Sequence, residues 1–189
     1  MPRSAVLDAD VLVPIALCDT LLHQAEAGLF DPGWSGRILN ETRTALVEDL
    51  AVSPDKAERR IRHMQAAFRS ASADEDTVAR LEPTMTNDAK DRHVLAAAVA
   101  RGAGLIVTRN VRDFPASACE VHGIEAIHPD DFLLGQFRRA PDGVRAALAQ
   151  QVADLTNPPM SLADLLGVLR TWVPRFVRAF ALDAGITSG

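Results

Sequence analysis

Two short runs without a polar residue, Ala5-Val6-Leu7 and Leu105-Ile106-Val107, constrain this chain most, because each stops abruptly at a polar side chain, Asp8 or Thr108. A run too brief for a helix and apolar on both faces is a strand covered from both sides, as in a parallel sheet. The residue ending such a strand lies at its carboxyl end, where open α/β sheets hold their ligand crevice. Strands are expected over Ser4–Leu7, Leu105–Val107 and within residues 123–127.

Between these strands the spacing is helical. Ile38, Thr42, Ala45, Leu46 and Leu50 line one face of a helix that begins near Ile38. Ser53-Pro54 starts a second, with serine as N-cap and proline at the first helical position, running to about Ser70. Residues 74–81 read as a short helix, and Asn87 or Asp88 caps another that ends at Arg101, before Gly102 and Gly104. The apolar face of that helix is Val94, Leu95, Ala98 and Val99. Asp31-Pro32-Gly33 reads as a turn. This order predicts an α/β fold with a central parallel sheet.

The chain has 189 residues, 48% of them hydrophobic, which excludes intrinsic disorder and suits one domain with an appendage. No apolar run is long enough to cross a bilayer, since the longest, residues 11–18, is interrupted by Pro14. The N-terminal residues lack the sustained apolar stretch of a secretory signal. Cys18 and Cys119 make neither a disulfide scaffold nor a zinc site by themselves. A cytoplasmic protein is expected, with no membrane association. Twenty Lys+Arg against 25 Asp+Glu leave a net charge of −5, so bulk attraction to nucleic acid is not expected.

Beyond Phe132 the texture changes. Val144, Leu148, Val152 and Leu155 recur at helical spacing, Asn157-Pro158-Pro159 breaks the chain, and Ser161 with Asp164 forms a capping box. Leu162, Leu165, Leu166, Leu169 and Trp172 form a further apolar stripe up to Pro174. The expected organisation is an α/β domain over residues 1–133 and a C-terminal helical extension over residues 134–189 packed on it.

Four acids sit badly with the solvated faces that acids usually occupy. Asp8 ends a buried strand, and Glu41 falls in line with Ile38 and Ala45 on the apolar side of its helix. Asp91 precedes Val94 and Leu95 by one turn, and Asp113 follows the second strand closely. Carboxylates converging on one strand-end crevice repel one another, and a divalent cation relieves that repulsion. Hard oxygen donors without a cysteine or histidine cluster favour Mg²⁺ or Mn²⁺, which take phosphate oxygens as further ligands.

The strings Ala5-Val6-Leu7-Asp8-Ala9-Asp10-Val11-Leu12-Val13, Ile38-Leu39-Asn40-Glu41, Asp88-Ala89-Lys90-Asp91-Arg92-His93-Val94-Leu95 and Leu105-Ile106-Val107-Thr108-Arg109-Asn110-Val111-Arg112-Asp113-Phe114 together resemble the PIN domain. That family includes the VapC toxins of bacterial toxin–antitoxin pairs. The resemblance covers residues 4 to about 132 and implies a three-layer α/β/α fold and a Mg²⁺- or Mn²⁺-dependent ribonuclease. Asp8, Glu41, Asp91 and Asp113 match the family's four acids, with Thr108 and Asn110 as the polar residues beside the fourth. Asp10 departs from the Asn, Ser or Thr more common at its position, and Asp88 adds an acid one turn before Asp91. The resemblance further implies an RNA substrate, a small antitoxin covering the acidic pocket, and a homodimer.

Arg109 and Arg112 flank the fourth acid and are candidates for phosphate contact, while Arg59, Arg60, Arg62 and Arg69 fit a solvated helix. His93 points off the direction of Asp91 and reads as structural. Two other readings share these residues. Asp8-Ala9-Asp10-Val11-Leu12 also fits the opening of haloacid-dehalogenase-like phosphatases, with Asp130-Asp131 as last acids. That pattern needs a lysine after Thr108, and none follows Lys90. The other is a catalytically inactive PIN module acting through protein or RNA contacts.

Overall fold

A computed structural model describes residues 3–185. In chain order the elements are β1 (Ser4–Leu7), α1 (Ala9–Leu12), α2 (Ile15–Glu26), β2 (Asp31–Gly33), α3 (Gly36–Glu48) and α4 (Pro54–Ala67). Then follow α5 (Glu75–Leu81), α6 (Arg92–Arg101), β3 (Leu105–Val107), α7 (Ala116–Cys119) and β4 (Glu125–Ile127). The last four are α8 (Pro129–Arg139), α9 (Pro141–Asp154), α10 (Leu162–Leu169) and α11 (Pro174–Asp183). These elements fall into two compact units, one of residues 3–13 and 31–127, the other of residues 14–30 and 128 onward.

The first unit is built on a parallel sheet in the order β2-β1-β3-β4. The chain leaves β1 toward β2 on one side, and β3 and β4 lie on the other. The strand order therefore reverses between β1 and β3, the switch point at which the carboxyl ends of an open α/β sheet form a crevice. Leu7 pairs with Val107 in register, so the next residues of both strands, Asp8 and Thr108, emerge together at that crevice. Helix α6 covers β1 and β3 with a run buried from His93 to Ala98. Ser35 caps α3 by accepting from the Ile38 amide, and α3 buries Ile38, Leu39, Thr42 and Leu46.

Several expectations need correction. Asp31-Pro32-Gly33 is a strand, not a turn: β2 lies at the sheet edge, where proline's missing N–H takes no bond from the ladder. Leu50 lies past the end of α3 and is exposed. Helix α6 begins at Arg92, not near Asn87, because residues 88–91 are held as a turn: Asp88 Oδ1 accepts from the Lys90 amide at 3.0 Å. Helix α2 was not anticipated. It starts after Pro14 and buries Leu17, Cys18, Thr20, Leu21, Gln24 and Ala25.

The second unit is helical. Within it α2 packs on α9, and α8 on α11. The Thr20 hydroxyl donates to Gln151 Oε1 at 2.9 Å in the interior, and Phe30 meets Phe132 edge-on. Phe137, Phe176 and Phe180 form an aromatic cluster joining α8 to α11. The capping box of Ser161 and Asp164 opens α10 as expected. Among the described residues no helix is long and apolar enough to cross a membrane.

Candidate active site

Asp8 stands just past the carboxyl end of β1, at the N-cap of α1. Only 6% of it is exposed, its Oδ1 accepts from the Ala9 amide at 2.7 Å, and its Oδ2 accepts from the Thr108 hydroxyl at 2.8 Å. Thr108 in turn accepts from the Asn110 amide at 3.1 Å. Burial, then the charge of Asp10, push the Asp8 carboxyl up to about 6 despite those hydrogen bonds. Asp10, in the first turn of α1, accepts from the Arg109 amide with both oxygens, at 2.9 and 3.2 Å, and so fastens the loop after β3. Its own carboxyl is likewise raised to about 6, chiefly by burial.

Two loops bring the other aspartates in. The amide of Asp88 donates to the carbonyl of Asp113 at 3.2 Å, joining the turn before α6 to the 3₁₀ turn Val111–Asp113. Asp91, at the mouth of α6, is half-buried, and its carboxyl is raised to about 6 by burial and then by the charges of Asp8, Asp113 and Asp88. Those causes place Asp8, Asp88, Asp91 and Asp113 in one electrostatic neighbourhood drawn from three separate segments. Asp88 itself is exposed.

Glu41 is reached differently. Its Oε1 accepts from Arg37 Nε and lies 3.2 Å from His93 Nε2, and Arg37 also donates to Glu82 at 2.8 Å. Burial would raise the Glu41 carboxyl, but His93 and Arg37 together hold it below the ordinary range. His93 is 1% exposed. Arg37 and His93 were not read as site residues. Neither is legible in the sequence, because the contact of His93 with Glu41 spans α3 and α6.

Arg109 and Arg112 have exposed side chains beside Asp10 and Asp113. Arg60 does not belong with them: it donates to the carbonyls of Leu12 and Val13 at 2.8 and 3.2 Å, closing the end of α1. Asp130 and Asp131 are taken up within the helical unit, Asp130 by the amides of Arg175 and Phe176 and Asp131 by the Arg175 guanidinium.

The donor set suits a hard divalent cation. It consists of carboxylates, of which Asp8 and Asp91 are raised by burial and then by neighbouring acids, and it contains no thiolate. Among the described residues, no three histidine, cysteine, aspartate or glutamate side chains are already drawn in to coordination spacing. The backbone gathers the acids against their mutual repulsion, short of a closed cage.

Residues 4–112 match the family model of the PIN domain, a span that holds Asp8, Glu41 and Asp91 and stops one residue before Asp113. Residues 129–181 match a second family model, the VapC50 C-terminal domain, which covers all of α8 to α10 and most of α11. The Mycobacterium tuberculosis protein named "Putative ribonuclease VapC50" is 44% identical over 92 residues, 49% of this chain and 54% of that protein. The aligned stretch thus spans about half the length of that relative. No solved structure matches the chain. A four-stranded parallel sheet flanked by helices is the α/β/α architecture of that first family, and with more than half its residues matched the chain belongs to the PIN-domain family.

Proposed function

We propose that the chain is a divalent-cation-dependent endoribonuclease, the toxin of a VapBC-type pair acting in the cytoplasm. The observation that carries this reading is the pair of raised acids at the switch point of the sheet, Asp8 lifted by burial and the charge of Asp10, and Asp91 by burial and the charges of Asp8, Asp113 and Asp88. A protein tolerates such crowding at a cost in stability, and strongly perturbed acids in a crevice mark sites of chemistry. The name of the Mycobacterium tuberculosis relative points the same way.

Asp8, Asp91, Asp113 and Glu41 would hold Mg²⁺ or Mn²⁺, with Asp10 and Asp88 beside them. The cation supplies Lewis-acid stabilisation of charge developing on the phosphate oxygens. The remaining work belongs to the chain. Thr108 fixes the carboxylate of Asp8, and Asn110 fixes the Thr108 oxygen. Asp10 holds the loop carrying Arg109 and Arg112, whose guanidinium groups meet the RNA backbone. An antitoxin that delivers a cationic side chain to Asp8 and Asp91 would silence the site by occupying its negative charge. A homodimer is part of the same reading.

The test is cleavage of a panel of tRNA, ribosomal RNA and mRNA with Mg²⁺ or Mn²⁺, with and without EDTA, beside Asp8→Asn and Asp91→Asn proteins of unchanged far-UV spectrum. Cleavage that stops with EDTA and in both variants is expected. Cleavage that persists in either condition overturns the reading.

A further inference from the structure

Glu41 carries two donors on a single oxygen. Arg37 Nε and His93 Nε2 both approach Oε1 at 3.2 Å, and among the described residues Oε2 takes no hydrogen bond. The two donors are unequal. Arg37 is half exposed and shared with Glu82, so water screens its hold and its contribution is small. His93 is 1% exposed, and its ring is fixed by the packing of α6. Its other nitrogen, Nδ1, is buried without a partner. A neutral ring bonded to a carboxylate must carry its proton on Nε2, which leaves Nδ1 a bare acceptor and spares the interior an unsatisfied N–H.

We infer that His93 is a positioning residue: from α6 it fixes the Glu41 carboxylate of α3 so that one oxygen is held by the protein and the other is left for the cation. The inference rests on the metal-dependent reading above and adds a residue that acts only through Glu41. Partners behind a ligating carboxylate set its orientation, and their loss costs about 10- to 100-fold in metal affinity.

The side-chain lengths supply the test. The amide nitrogen of glutamine reaches the place of imidazole Nε2, and that of asparagine reaches only the place of Nδ1. His93→Gln therefore keeps a donor to Glu41, and His93→Asn loses it while leaving an amide in the same space. Mn²⁺ binding to each full-length variant is measured without RNA, by calorimetry or by the electron paramagnetic resonance of free Mn²⁺. Affinity close to wild type is expected for His93→Gln, and affinity weaker by about 10- to 100-fold for His93→Asn. If His93→Asn does not fold, His93→Phe, which fills the space without a donor, takes its place.

The same pair of variants on a Glu41→Ala background, which removes the acceptor, separates positioning from general damage. There the difference between Gln and Asn at position 93 is expected to vanish. Equal affinities for the two single variants, or a difference that survives on the Glu41→Ala background, overturn the inference and leave the metal reading standing. Wild-type protein that binds no Mn²⁺ overturns both.

Discussion

The hydroxyl of Thr108 donates to Oδ2 of Asp8 across 2.8 Å, joining residues 100 positions apart at the ends of adjacent parallel strands. The contact follows from register. Leu7 lies opposite Val107, so the residue after each strand meets its neighbour, and a short polar side chain on β3 fits against an acid on β1. Thr108 is fully buried and supports two groups at once, Asp8 and the Asn110 amide.

Thr108→Val keeps the shape and removes the hydroxyl, leaving a buried carboxylate oxygen and the Asn110 amide each short of a partner. A loss of about 1–3 kcal/mol in urea unfolding is expected, together with slower RNA cleavage. Thr108→Ser restores both hydrogen bonds and most of the stability. If the valine and serine variants unfold at the same urea concentration, the hydroxyl has no part in holding Asp8.

Asp8→Asn is expected to abolish cleavage and yet to stabilise the metal-free protein at neutral pH. The folded carboxyl is raised from 3.8 to about 6, so between those values the folded protein holds a proton the unfolded chain has released. Stability therefore falls as pH rises through that window, and the penalty is complete above about pH 6. Each pKa unit is worth about 1.4 kcal/mol, and Asp8 titrates jointly with Asp10, so a gain of about 1–3 kcal/mol is expected for the neutral amide. Urea unfolding in EDTA measures it. A variant less stable than wild type near pH 7 and equally stable near pH 4 would contradict the assigned penalty.

Much of this was legible from the residues, and the misses have physical causes. An apolar triplet stopped by an acid locates β1 and Asp8 without help from any distant residue, and the same logic locates β3 and Thr108. Proline hid β2, because an edge strand tolerates the residue that usually marks a turn. Pro14 likewise hid α2, although it stands at the N-cap position of that helix. The start of α6 was misplaced because Asp88 spends its side chain on a local turn and its amide on Asp113. Arg60 resembled its cationic neighbours until tertiary structure gave it two carbonyls to bind. His93 was read as structural from its direction on α6, and its contact with Glu41 depends on how α3 and α6 meet.

Cation binding should compete with protons. Asp8, Asp10 and Asp91 are all raised to about 6, so acidification below that value protonates them and discharges the site. Mn²⁺ affinity is expected to rise steeply between about pH 5 and pH 7 and to flatten above, since the donors must be ionised to bind. Saturating Mn²⁺ should move the acid limb of the cleavage profile to lower pH. Affinity that does not change across this range would mean that these carboxylates are not the donors.

Asp130 offers a test of a different kind. It is 4% exposed, its Oδ2 accepts from the Arg175 amide at 3.1 Å and its Oδ1 from the Phe176 amide at 2.8 Å. Those amides open α11, where intrahelical partners are lacking and negative charge is favoured. One carboxylate on α8 thus serves as the cap of another helix, as the N-cap residue Val173 offers no side-chain acceptor. Asp130→Ala should cost about 2–3 kcal/mol in urea unfolding, with Asp130→Asn intermediate because it keeps one oxygen acceptor. RNA cleavage by the folded fraction should be unchanged, because the bonds of Asp130 go to the amides that open α11. Loss of hydrolysis at full stability would instead make Asp130 a reacting acid, the role a phosphatase of the haloacid-dehalogenase type would give it.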